Sequence, residues 1–187
     1  HLATGVEKPM DIFGGRWQGY MEKIERHWRA LVTPEDTVVL GGDISWGISL
    51  REAQSDFALI DSLPGRKLIL KGNHDLWWET AAKMHRFLQE NGFTSIDFLH
   101  NNCFFYEKTA LCGTRGWPFE EDFSDPHNEK IFRRELMRLE ASLKCGAEGK
   151  PEEIICFLHY PPLYANFRCG PMIALMQKYG VQRCIYG

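Results

Sequence analysis

The chain has 187 residues, 44% of them hydrophobic, and a formal net charge of −3. So many core-forming side chains at so small a net charge exclude intrinsic disorder, and with no basic excess, nucleic-acid binding driven by charge alone is excluded as well. Apolar runs such as Thr37–Leu40 and 154–158 fall far short of the roughly 18 residues of a membrane span.

Trp17, Tyr20, Met21, Ile24, Trp28 and Leu31 recur at helical spacing and predict an amphipathic helix over 16–31. Thr37-Val-Val-Leu-Gly then reads as a buried strand ending in glycines. Leu50, Ala53, Phe57 and Ile60 mark a second helix, stopped by Pro64-Gly65, and Lys67-Leu-Ile-Leu-Lys is a second strand. A third helix is predicted over 80–91, with Gly92 as its C-cap. Residues 98–111 read as two short strands around Glu107-Lys108. After Asp125-Pro126, the positions Ile131, Phe132, Glu135, Leu136, Leu139 and Leu143 predict a long helix. A strand over 153–158, a helix over 171–179 and a strand over 183–186 complete the chain. No repeat or Pro/Gly-rich linker interrupts it, so a single domain over 1–187 is expected. The alternation implies the α/β class, in which ligands meet the loops after the strands.

The six cysteines (Cys103, Cys112, Cys145, Cys156, Cys169 and Cys184) form no Cys-x-x-Cys pair, which argues against a zinc ribbon. Several lie in apolar runs, where a thiol behaves as a small core hydrophobe. The expectation is that they are reduced and mostly buried, in a cytoplasmic protein.

The unusual chemistry sits at the strand ends. Val38-Val-Leu is followed by Gly41-Gly-Asp43, Leu68-Ile-Leu by Lys71-Gly-Asn-His-Asp75, and Ile154-Ile-Cys-Phe-Leu by His159-Tyr-Pro-Pro162. Glycine before Asp43 and before Asn73 lets the backbone turn sharply there. Taken singly, Gly-Gly-Asp is also a common turn or helix N-cap, and His159 alone fits an ordinary loop histidine. Asn, His and Asp in a row directly after a buried strand are harder to account for structurally. With all three groups on one sheet edge, they point to a functional site.

In this order and on these strands, Gly42-Asp43, Gly72-Asn-His-Asp75 and His159 resemble the calcineurin-like metallophosphoesterase superfamily, in its bacterial form. The resemblance implies an α/β fold of two packed mixed β-sheets flanked by helices. It sets His1-Leu2 at the end of the family's opening Asp-x-His motif and Arg183-Cys-Ile-Tyr-Gly187 at the start of its closing Gly-His-x-His motif. An aspartate upstream and a His-x-His pair downstream are therefore expected, in an intact polypeptide heavier than 21.7 kDa.

What the resemblance implies for the site follows residue by residue. His1 and Asp43 would bind the first of two divalent metals, and Asp43 would bridge to a second held by Asn73 and His159. Mn, Fe, Zn and Ni all suit such ligands. A water between the metals, deprotonated near neutral pH, would attack phosphorus in line. His74 would protonate the departing alkoxide as general acid. Asp75 would accept a hydrogen bond from His74 and fix its tautomer, a helix N-cap being its other reading. Arg115 is a candidate for a substrate phosphate, against a structural ion pair, and Trp46 for lining the pocket, against plain packing. Trp77-Trp78 read as packing residues, and Tyr160, Tyr164, Phe167 and Arg168 as a surround for His159. His27, His85, His100 and His127 fall outside the pattern.

The implied activity is hydrolysis of a phosphomonoester or phosphodiester. A nuclease and a non-catalytic scaffold are the alternatives on the same fold. The expected partner is a phosphorylated substrate, with no membrane involved and nucleic acid disfavoured by the charge. Substrate identity and oligomeric state are left open.

Overall fold

The computed structural model describes residues 1–2, 4, 14–118 and 126–187, which fall into two compact units, His1–Phe98 and Leu99–Gly187.

In the first unit a 3₁₀ turn at Gly15–Trp17 precedes α1 (Tyr20–Leu31), so the first predicted helix starts one turn late. Then follow β1 (Thr37–Leu40), α2 (Leu50–Ser62), β2 (Arg66–Ile69), α3 (Ala81–Asn91) and β3 (Ile96–Phe98). The strands form one parallel sheet in the order β1-β2-β3, with Val39 opposite Leu68 and Lys67 opposite Ile96. Parallel neighbours need crossover connections, and α2 and α3 supply them. Ser49 caps α2 by accepting the Glu52 N–H at 3.3 Å, and Thr80 caps α3 by accepting that of Lys83 at 3.4 Å. Pro64 ends α2 because it has no N–H to continue the ladder. Phe57, Ile60, Ile69, Trp77, Met84, Leu88 and Phe98 form the core, with Phe57 edge-on to Trp77 at 5.0 Å.

Lys67 is fully buried in this unit. Its ammonium donates to the carbonyls of Leu63 and Gly65 (2.9 Å) and to the Ser95 hydroxyl (2.8 Å). It thereby satisfies carbonyls left open beyond the end of α2. Burial lowers its pKa, with the charge of Asp61 opposing the shift.

The second unit contains β4 (Cys103–Tyr106), β5 (Thr109–Thr114), α4 (Pro126–Glu148), β6 (Glu153–Leu158), β7 (Leu163–Tyr164), β8 (Phe167–Arg168), α5 (Gly170–Lys178) and β9 (Arg183–Tyr186). Its main sheet runs β4-β5-β6-β9 and is mixed: β4 and β5 form an antiparallel hairpin at Glu107-Lys108, and the other pairs are parallel. The predicted hairpin is therefore present, but it begins at Cys103, while Phe98 belongs to β3 and pairs with β2. The two-residue strands β7 and β8 were not predicted, because segments that short carry no periodicity. Ala110, Cys112, Trp117, Phe132, Leu139, Leu143, Ile154 and Leu158 make the core.

The cysteines require a correction. Cys103 and Cys145 are joined in a disulfide, with Cα atoms 5.8 Å apart, although both were expected to be reduced. They lie 42 positions apart, so only the packing of α4 on the edge strand β4 brings them within bridging distance. Cys112, Cys156 and Cys169 are free and buried, and Cys184 is free and partly buried. Among the described residues, no helix is long and apolar enough to cross a membrane.

Candidate active site

The loop after β1 and the loop after β2 come together because the strands are adjacent and end side by side. Gly42 has φ 99° and Asp43 φ 57°, left-handed values that glycine adopts freely and aspartate tolerates better than most residues. Gly72 is required for a different reason from the expected turn: a Cβ there would overlap the Asp43 carboxylate and its backbone N. The Asp43 Oδ1 accepts the backbone N–H of His74 at 3.0 Å. Asp43 thus lies flat against the second loop.

Asp75 is the knot of this arrangement. It is 2% exposed, and its Oδ2 accepts the N–H groups of Asp43 (2.8 Å) and Gly72 (2.7 Å). Its Oδ1 accepts the N–H of Ile44 (2.8 Å) and the Trp77 indole N–H (3.0 Å). The hydrogen bond to His74 expected of Asp75 is therefore not made, since both oxygens are committed elsewhere. Nor does Asp75 cap a helix, because α3 starts only at Ala81 and is capped by Thr80. Burial raises its pKa, and the nearby Asp43 charge adds to the rise. The N–H donors of Gly72, Ile44 and Asp43 pull it back down. Trp77 is the packing residue expected of it and also serves Asp75.

His1 is delivered to the same place by a parallel bridge between Leu2 and Ser45, in which the Leu2 N–H donates to the Ile44 carbonyl at 2.7 Å. The imidazole stacks on Trp46 at 3.9 Å with the planes 12° apart. Trp46 is therefore a platform for His1, which accounts for it better than pocket lining. His1 Nε2 lies 3.8 Å from Asp43 Oδ2 and is buried without a hydrogen-bond partner among the described residues. The His74 ring stands edge-on to His1 at 5.3 Å. Asn73 and His74 are exposed.

The second unit holds the other two candidates. The backbone N–H groups of His159 (3.1 Å) and Tyr160 (2.9 Å) both donate to the Arg115 carbonyl. The Arg115 guanidinium lies 5.9 Å from the Tyr160 ring centroid, within cation–π range. Its Nε is buried, and neither a hydrogen-bond partner for it nor an ion pair is formed among the described residues. The loop is held by Glu135 of α4, which is 1% exposed. Glu135 accepts the Thr114 hydroxyl (2.5 Å) and the Gly116 N–H (3.3 Å) and pairs with Arg138 at 3.0 Å.

His1, Asp43, Asn73 and His74 thus lie in the first unit, and His159 follows β6 in the second. The family described as calcineurin-like phosphoesterase matches residues 11–187. The chain belongs to this family. The crystal structure of TT1561 of Thermus thermophilus is similar with a TM-score of 0.55 and 15% identity, over 81% of this chain and 68% of that one. A second crystal structure is similar with a TM-score of 0.51 and 15% identity, over 74% of this chain. This chain spans 56% of that second relative. At such identities the likeness concerns the fold. No curated protein sequence matches the chain.

Calcineurin-like phosphoesterases as a family bind divalent metals, and the donors of this chain can be tested for fit. Two ligands each about 2.1 Å from one ion lie at most about 4.2 Å apart, so His1 Nε2 and Asp43 Oδ2 at 3.8 Å are within reach of a common cation. The unpartnered Nε2 fits the same role, since a buried ring nitrogen is otherwise costly to strand. Among the described residues, no three His, Cys, Asp or Glu side chains converge on one point. The first unit therefore presents the His1 imidazole and the Asp43 carboxylate together, with Asn73 exposed on the loop that carries His74.

Two buried carboxylates were missed in the sequence, Glu135 and Asp56. Asp56 is completely buried on α2 among Ala53, Phe57 and Ile60. The signal was available: a carboxylate falls on the apolar face of an amphipathic helix, where it is costly unless hydrogen-bonded.

Proposed function

We propose that this calcineurin-like phosphoesterase hydrolyses a phosphomonoester or phosphodiester and depends on two divalent metals. The observation that carries the reading is the convergence of the two strand-end loops of the first unit. His1 Nε2 lies 3.8 Å from the Asp43 carboxylate, which also receives the His74 N–H. His1 and Asp43 would hold one metal, and Asp43 and Asn73 would contribute to the other, His159 being a candidate ligand on the family resemblance alone. When bound, the metals supply positive charge for a phosphoryl oxygen and lower the pKa of a water; Mn, Fe, Zn and Ni all suit the donors.

The chain's own groups do the rest. Asp43 is oriented by the His74 N–H. His74, exposed at the loop, gives a proton to the leaving oxygen. Asp75 holds the two loops in register. Arg115, whose Nε has no described protein partner, is offered to a phosphate oxygen. The substrate is a phosphorylated compound rather than nucleic acid, since the chain carries no basic excess. Cytoplasmic residence is the compartment we favour, on three buried free thiols; the Cys103–Cys145 disulfide weighs against it.

The test is hydrolysis of p-nitrophenyl phosphate and bis-p-nitrophenyl phosphate by the full polypeptide with added Mn, Fe, Zn, Ni or Co. Turnover of either ester that is abolished by chelation and restored by metal is expected. No turnover with any metal on either ester would overturn the reading in favour of a scaffold.

A further inference from the structure

Asp56 has no part in the reading above, yet it touches both segments that carry the paired donors. Its Oδ1 accepts the Thr4 backbone N–H at 2.8 Å and the Thr4 hydroxyl. Its Oδ2 accepts the Ser45 hydroxyl at 2.5 Å, and the Ser45 Oγ in turn accepts the Gly47 N–H at 3.0 Å. Thr4 lies three positions from His1, and Ser45 two positions from Asp43. The two segments are also joined directly by the parallel bridge between Leu2 and Ser45, in which the Leu2 N–H donates to the Ile44 carbonyl. That bridge lies at Leu2 alone, and Asp56 adds an anchor on the far side of it at Thr4.

No Lys or Arg pairs with Asp56 among the described residues, so its carboxylate depends on these donors alone. A buried carboxylate without them would cost more than an apolar residue of similar size. Its retention on the apolar face of α2 is explained by what it holds in place.

We propose that Asp56 is a positioning residue of the site, its hydrogen bonds to Thr4 and Ser45 setting the separation and direction of His1 relative to Asp43. This rests on the metal-dependent reading for its consequence, though not for its geometry. Asp56→Asn replaces one acceptor oxygen by an NH₂ group, which cannot accept. One of the two segments then faces a donor. Ser45→Ala removes the same link with no change of charge.

The experiment has two readouts on the full polypeptide. In the metal-free protein, NMR follows the His1 ring protons, which Trp46 shifts by its ring current. In both Asp56→Asn and Ser45→Ala these resonances are expected to move toward the values of a free histidine. Equilibrium titration with Mn²⁺ is then expected to show affinity lowered by about 10–100-fold, the usual range when a group behind a metal ligand is lost. Turnover should recover at high Mn²⁺ with KM for the ester unchanged, a split that a general loss of stability would not produce.

Wild-type ring shifts and wild-type Mn²⁺ affinity in Asp56→Asn would overturn the proposal. If Asp56→Asn does not fold, Ser45→Ala decides by the same measurements. If the wild-type chain takes no Mn²⁺, the metal reading fails, and the ring-current shifts still decide whether Asp56 sets the position of His1.

Discussion

The two units of this protein both hold a strand-end loop with a buried carboxylate on its inner side, and they treat that charge differently. In the second unit Glu135 takes the Thr114 hydroxyl and the Gly116 N–H but also pairs with Arg138. In the first unit Asp56 and Asp75 accept only neutral N–H and O–H donors, and no Lys or Arg pairs with either among the described residues. Both solutions satisfy the oxygens, but only the second unit cancels the charge. The first keeps its negative charge behind His1 and Asp43, which favours a cation there. On the proposed reading, the difference separates a clamp that is structural from one that would also favour a cation at the site.

The largest expected effect tests whether the exposed face of the first unit does chemistry. His74→Asn should lower turnover by about 10²–10⁴-fold, the usual contribution of a general acid, while metal content measured by mass spectrometry stays at the wild-type level. Loss of metal from that variant would make His74 a ligand instead.

The next effect separates the two clamps directly. Asp75→Asn leaves only one acceptor oxygen for four donors, so two N–H groups face an NH₂ group. At about 1–3 kcal/mol for each stranded donor, stability should fall by about 2 kcal/mol or more. Glu135→Gln keeps an acceptor for Thr114 and Gly116 and loses chiefly the pairing with Arg138, whose side chain is 40% exposed. Solvent screens a pairing whose cation is this exposed, so its loss should cost less than two stranded buried donors. Urea midpoints of the two variants should differ in that order, and equal midpoints would remove the distinction between the units.

The smallest effect concerns the second unit alone. Burial pushes the Cys112 thiol up to about 11, the Ser142 hydroxyl and the Gly146 backbone opposing it. Its folded pKa lies above the ordinary value of 9.0, so the stability it contributes is present below pH 9 and is lost as pH rises toward 11. The urea midpoint should fall across that interval, and less so in Cys112→Ala. Cys112 should also resist alkylation at pH 8, whereas Cys184, partly buried and with a lowered pKa from its hydrogen bond with Cys156, should react first.

Much of this was legible in the chain itself. Strands β6 and β9 have the predicted limits, α3 lies within one residue of its predicted limits, and the hairpin turns at Glu107-Lys108 as expected. These are local signals: an apolar run, a capping threonine, a proline. The positions of the candidate residues were legible too, because His159 directly follows an apolar run and Asp43 and Asn73 follow one after two further residues. What could not be read was the service each polar group performs. The aspartate next to His74 looks like its partner in sequence and instead ties Asp43, Ile44 and Gly72 together.

The sequence by itself determined where the strands end and which side chains stand there, since both depend on neighbours a few positions away. Only the tertiary structure decided that Asp75 serves a loop about 31 positions distant, that Asp56 reaches Thr4 across 52, and that Cys103 meets Cys145. The physical reason is that a hydrogen bond or a disulfide is satisfied by proximity in space, and the packing of helices on parallel strands sets that proximity.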